Sequence, residues 1–215
     1  MNAVGPKRLL MAFPGAGGTL DGYVVRYALM SRLFQPTTFG QLDGDSSQTL
    51  KDLVRMFKRA GFPVAISSNM DAWQKTHVAL VSPIANSLYM VGDKASILAS
   101  TAGALHLMVR AIRECLHVLR LLQVPITPPW LQAWEWIPES VLVSCLRLWI
   151  RSSHFENVAA HHAIVARDEM EHLAKEFKTL SQKTAMPTPC MDKLASYFHV
   201  ATTKTNMDSA KQHAA

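Results

Sequence analysis

Lys75, Ala79, Ser82 and Asn86 fall within roughly 40° of one another on an α-helix of about 100° per residue, so one lysine heads a line of small or polar groups. Val78, Val81, Ala85 and Leu88 form a separate apolar stripe on the same helix. Taken alone, the pattern describes a core helix with a lysine at its rim. The Gly15-Ala16-Gly17-Gly18 segment invites a nucleotide-binding reading, because glycine lets the backbone approach a pyrophosphate closely. Its register is not that of G-x-G-x-x-G, Thr19 to Tyr23 does not read as a helical first turn, and Pro14 precedes it. A plain loop is the simpler reading. His154, His161, His162 and His172 lie close together, and Glu169-x-x-His172 has the spacing of one half of a carboxylate-bridged metal site. The full site needs two such motifs, so solvated helix histidines and no metal are expected. Glu169 itself sits at the edge of an apolar side made by Ala166, Met170, Leu173 and Phe177, beside Val165. A carboxylate there is either solvated or looks into an interdomain cleft.

The elements that must hold these residues change character along the chain. Leu9 to Phe13 reads as a buried strand running into the glycine segment, with further strands over Tyr23 to Leu33, Gln35 to Leu42 and Phe62 to Ser67. Leu50, Leu53, Val54 and Phe57 give Thr49 to Ala60 a helical period that Gly61 stops. From about Ser68 onward every strong signal is helical. Asp71 is the expected N-cap of a helix to Met90, with Trp73 as its anchor and a kink from Pro83 near Ala79. One long helix is expected from Asp93 or Ser96 to about Gln123, with Leu98, Ala102, Leu105, Val109, Ile112, Leu116 and Leu119 inward. Helices follow from Pro138 to Ile150, Asn157 to Ser181, and Pro189 to His199. The expected organisation is a partial α/β segment over 1–68, an all-helical domain over 69–200 and a disordered tail over 201–215.

With 215 residues, 49% of them hydrophobic, the chain can bury a substantial core. Its net charge of +6 is spread thinly, since only 18% of residues are charged. No basic run is long enough to follow a phosphate backbone, so no nucleic-acid partner is expected. Cys115, Cys145 and Cys190 have no metal-ligand spacing and fit free thiols in a reducing cytoplasm. Met1 to Arg8 does not lead into a signal-peptide core, and the uncharged run from Thr76 to Gly92 falls below spanning length and holds Pro83, so neither secretion nor a membrane partner is expected.

Set in this order, the pieces resemble the ketopantoate reductases (2-dehydropantoate 2-reductases). Trp73-x-Lys75 is the most telling motif. Arg8 to Gly18 resembles the strand and glycine loop late in that family's nucleotide domain, and Gly61-Phe62-Pro63-Val64 to Pro83 resembles the entry into its helical domain. Ala166 to Leu194, with Glu169 and Pro187-Thr188-Pro189, resembles its closing segment. The resemblance implies a mostly α protein: a helical domain of the 6-phosphogluconate dehydrogenase C-terminal type, preceded by a small α/β remnant of a Rossmann-type domain. It further implies a C-terminal portion that lacks the dinucleotide-binding half and is inactive alone. The implied reaction is NADPH-dependent reduction of a small 2-keto acid. Lys75 would be the general acid, Glu169 the carboxylate that orients substrate, Ser82 and Asn86 substrate contacts, and Gly15 and Gly17 cofactor contacts. A homodimer through the helical domain is the implied assembly. Pro14 and Ala79 stand where the family has asparagines, and Ser82 replaces a third. The alternative reading is a non-catalytic helical interaction or dimerisation module, for which Trp130, Trp134 and Trp136 supply aromatic surface.

Overall fold

The computed structural model describes residues 9–32 and 35–198, and the expected tail over 201–215 lies outside them. The chain is mostly helical, with small sheets near its N-terminus. It forms two compact units. One runs to Gln74 and includes Asn157–Ala159, and the other holds Lys75–Glu156 and the residues from Ala160 onward.

In the first unit, β1 (Leu10–Phe13), β4 (Thr37–Gln41) and β5 (Val64–Ile66) form a sheet in the order β1-β4-β5. β1 runs antiparallel to β4, and β5 runs parallel to it. A parallel neighbour needs a crossover, and α1 (Gln48–Arg59) provides it. Ser47 caps α1 by accepting from the Leu50 N–H at 3.2 Å. Leu50 and Val54 then pack on Phe39 and Val64, with Phe57 and Phe62 closing the cluster edge to face. All five residues of β4 are buried, the burial expected of a central strand covered on both faces.

The glycine segment is not a loop. Ala16–Asp21 forms β2 and pairs antiparallel with β3 (Val24–Leu29), Gly17 opposite Ala28 and Gly18 opposite Tyr27. Gly22, at φ +60, opens the two-residue turn between them, where a positive φ matches the twist of the flanking strands. Gly18 lies so close to the partner strand that a Cβ would stand 2.5 Å from the Arg26 carbonyl oxygen. The glycines therefore serve close strand approach.

α2 (Met70–Met90) starts in the first unit and continues in the second. Its cap is Asn69, whose Oδ1 accepts from the Ala72 N–H at 2.9 Å, and Asp71 lies inside the first turn instead of capping it. Asn69→Ala is expected to cost about 1 kcal/mol in urea unfolding, the usual loss of an N-cap side chain. Trp73 stacks on Phe13 with ring centroids 5.0 Å apart, the anchoring role its position suggested.

The second unit is built around α4 (Ala102–Leu121). Leu105, Met108, Val109, Ile112, Leu116 and Leu119 on it are fully buried, and α3 (Ala95–Ser100), α5 (Glu139–Ile150) and the 3₁₀ turn Pro129–Glu135 pack around it. The expected single helix from residue 93 to 123 is broken at Thr101, which is extended at φ −96 and ψ 92. That break puts Ala102 in solvent instead of in the inward stripe. The expected helix from 157 to 181 is also divided. α6 (Ser153–Phe155) runs into a π-helical turn, Glu156–Ala160, then α7 (His161–Val165), a break at Ala166 and α8 (Arg167–Ser181). A last helix, α9, covers 189–198. Among the described residues no helix is long and apolar enough to cross a membrane, and the three cysteines are free.

Candidate functional site

Lys75 is half-buried in the second turn of α2. Ahead of it on the helix lies a set of buried polar side chains: Thr76, Ser82, Asn86 and Ser87. Two have structural duties. The Thr76 hydroxyl accepts from the Thr127 N–H at 3.2 Å, and the Ser87 hydroxyl donates to the Pro83 carbonyl at 2.7 Å. The latter bond runs back one turn, and α2 is continuous through its proline. Ser82 and Asn86 are different. They are 5% and 2% exposed, and neither side chain makes a hydrogen bond among the described residues. Neither has a fully sealed polar atom, so part of their small residual exposure lies at the polar tips. Ala79 is fully buried on the same side.

His77 also lies on this stretch of α2. Burial, and secondarily the charge of His162, lower its pKa from 6.5 to about 4. At neutral pH its imidazole is uncharged.

Glu169 is on the solvent side of α8. Its carboxylate is 58% exposed, and its ion-pair partner is His162 at 3.9 Å. Of the two settings open to it from sequence, this is the solvated one. The neighbouring Arg167 holds the start of α8 in place. Its guanidinium meets Asp93 at 2.5 Å and lies 4.1 Å from the centre of the Tyr89 ring, while the Tyr89 hydroxyl donates to the Ala163 carbonyl at 2.6 Å. Asp93 adopts φ +66 just after α2, and Asp93 Oδ1 and Arg167 Nη1 are buried without hydrogen-bond partners among the described residues. Burial raises the Tyr89 hydroxyl well above its ordinary pKa despite the opposing Arg167 charge, so it remains a hydrogen-bond donor.

Gly15 and Gly17 are poorly placed for a phosphate. The Gly15 N–H donates to Thr37 Oγ1 at 3.0 Å and its carbonyl accepts from Met30 at 2.8 Å, so both backbone groups are committed inside the fold. Gly17 sits within the β2–β3 ladder. A dinucleotide does not fit these two residues as they stand.

His172 pairs with Glu176 at 3.3 Å, and among the described residues no group of three or more histidine, cysteine or acidic side chains is placed to hold a metal ion. Trp136 was read from sequence only as part of an aromatic partner surface, and the basic residues of α4 were not named with it as a site. Their signal was a run of His106, Arg110, Arg113, His117 and Arg120 at alternating steps of four and three, which puts them on one helix face.

No family model matches the chain, and no curated protein matches it.

Proposed function

We propose that this chain contributes the ketone-binding helix of an oxidoreductase of the ketopantoate-reductase type, acting on a small 2-keto acid. The observation that carries this reading is the Ser82–Asn86 pair. Buried polar side chains normally find partners within the fold, and one turn of α2 holds two that do not. A small polar ligand would supply them. Lys75, one turn before Ala79, two before Ser82 and three before Asn86, is the residue to hydrogen-bond the ketone oxygen and give it a proton as the carbonyl becomes an alcohol. Glu169 enters as the acceptor for a substrate hydroxyl, a role that requires the bound acid to cover it. NADPH remains the proposed hydride source, held by residues other than Gly15 and Gly17.

Calorimetric titration of the chain with 2-keto and 2-hydroxy acids tests the substrate half directly. Asn86→Ala should weaken binding by roughly tenfold, the cost of one lost hydrogen bond to a charged or strongly polar ligand. Where turnover with NADPH is measurable, Lys75→Ala should lower kcat by about 10²–10⁴ with an unchanged melting temperature. Retention of full turnover would end the general-acid assignment, and no keto acid binding at about 10 mM would end the reading itself.

A second reading, a non-catalytic interaction module, is favoured by the β2–β3 hairpin. Leu20, Tyr23, Val25 and Tyr27 are each more than half exposed on it, a concentration of apolar surface that marks association surfaces. Sedimentation equilibrium discriminates: a homodimer that dissociates on Tyr27→Ser, in a protein that binds no keto acid, supports the module.

A further inference from the structure

The basic face of α4 forms one wall of an open cleft of about 430 Å³, lined by Arg110, Arg113, His117, Arg120 and Trp136, with Cys190 at its edge. Each guanidinium is fixed by part of its donor set and keeps the rest. Arg110 uses Nε on both oxygens of Glu139, at 3.0 and 3.1 Å. Arg113 uses Nε on the Trp134 carbonyl at 2.9 Å and Nη2 on the Ile137 carbonyl. Arg120 uses Nη2 on Glu135. Spare N–H donors thus come from three arginines whose positions are already set, which lowers the entropic cost of holding an anion.

The acidic groups in the wall are held by contacts within the fold, apart from Glu135 Oε1, which is buried with no hydrogen-bond partner among the described residues. Glu114 accepts from the Cys190 and Met191 N–H groups at 3.0 and 2.9 Å, at the start of α9, and Glu135 is paired with Arg120. Among the described residues Arg113 is held by carbonyls alone, and no carboxylate pairs with it. The Cys190 thiol is pushed up to about 11 by burial and by its hydrogen bond to Glu114, and it adds no negative charge. Beside these cations stands Trp136, whose indole is 80% exposed. Its backbone is not loose: the carbonyls on either side, of Trp134 and Ile137, are the two that Arg113 binds. A large exposed ring on a backbone fixed at both flanking carbonyls, next to spare guanidinium donors, is a stacking platform beside an anion site.

We propose that this cleft binds a nucleoside phosphate, with its base stacked on Trp136 and its phosphate on the free donors of Arg113, His117 and Arg120. Stacking of a base on an aromatic side chain tightens binding by about fivefold or more, whereas exposed ion pairs alone contribute little. A bare anion would therefore be held weakly, and the base supplies the difference. The volume suits one nucleotide.

Isothermal titration of the full chain with AMP, adenosine, inorganic phosphate and a polyglutamate peptide tests this. AMP should bind saturably and at least about fivefold more tightly than adenosine or phosphate, and its affinity should fall with added salt. Trp136→Ala and His117→Ala, both at exposed positions, should each weaken AMP by about fivefold or more without moving the melting temperature. No heat with AMP at about 5 mM, phosphate binding as tightly as AMP, indifference to Trp136→Ala, or a peptide that binds more tightly than AMP would each overturn the assignment. The inference does not rest on the reductase reading. NADPH captured by this cleft loses affinity in Trp136→Ala, while keto acid binding on α2 does not change.

Discussion

Gly15→Ala is expected to destabilise the first unit by about 3 kcal/mol or to prevent its folding, the upper end of the cost of forcing extra volume into a packed site. A Cβ at this position would lie 2.4 Å from the Gln35 carbonyl oxygen, 2.4 Å from the Thr37 nitrogen and 2.6 Å from the Pro36 carbonyl carbon. All three are backbone atoms, so no side-chain rotation relieves the overlap. The segment they belong to leads into β4, the central strand, and the Gly15 N–H is bonded to Thr37 Oγ1. Relief by backbone movement would therefore disturb the pairing of β4 with β1. Urea unfolding followed by circular dichroism, with limited proteolysis of the first unit, reads the effect. A glycine kept for phosphate access would show the opposite pattern, with an unchanged midpoint and lost ligand affinity. A wild-type midpoint in Gly15→Ala would overturn the structural role given to Gly15 here.

That contrast shows where the sequence was legible. β1, β3, β4, α1 and β5 follow from apolar runs and a helical period, and α2 and α5 from period plus start signals. β2 was invisible because Ala16-Gly17-Gly18-Thr19 carries no apolar alternation, and its pairing is set by the turn at Gly22 and by the partner strand. The breaks at Thr101 and Ala166 were missed for a related reason. Neither has a proline or glycine at the break, and the flanking apolar residues continue in helical period. Their consequence for the site is larger than one residue. The wheel drawn across the Ala166 break set Glu169 at the edge of an apolar side beside Val165, either solvated or facing a cleft; the Glu169 side chain is 58% exposed and Val165 is 69% exposed, so the solvated setting holds. Lys75, Ser82 and Asn86 suffered no such shift, because α2 is unbroken, and the polar line read from its sequence is the side that is buried. The nucleotide cleft proposed on α4 depends on carbonyl contacts from residues 134 and 137, which no periodicity reports.

Stability of the helical unit should fall as the pH drops from about 6.5 to 4, by up to about 3 kcal/mol from His77 alone, at 1.36 kcal/mol per pKa unit. The unfolded chain takes up a proton on this imidazole below about 6.5, while the folded chain resists until about 4. Between those values the unfolded state binds more protons, so acid favours it, and below the lower value the difference is constant. The sign is opposite to that of a histidine held by a carboxylate. Burial is the main cause and the His162 charge the second, and His162 in turn faces Glu169 at 3.9 Å. Two variants separate these causes. His77→Gln removes the titrating group and should flatten the fall in urea midpoint across this window by most of its depth. His162→Gln removes only the smaller, coulombic contribution and should leave most of the fall in place. Midpoints measured at one-unit intervals from pH 8 to 4 decide the matter, and equal slopes in wild type and His77→Gln would show that His77 is solvated in the folded protein.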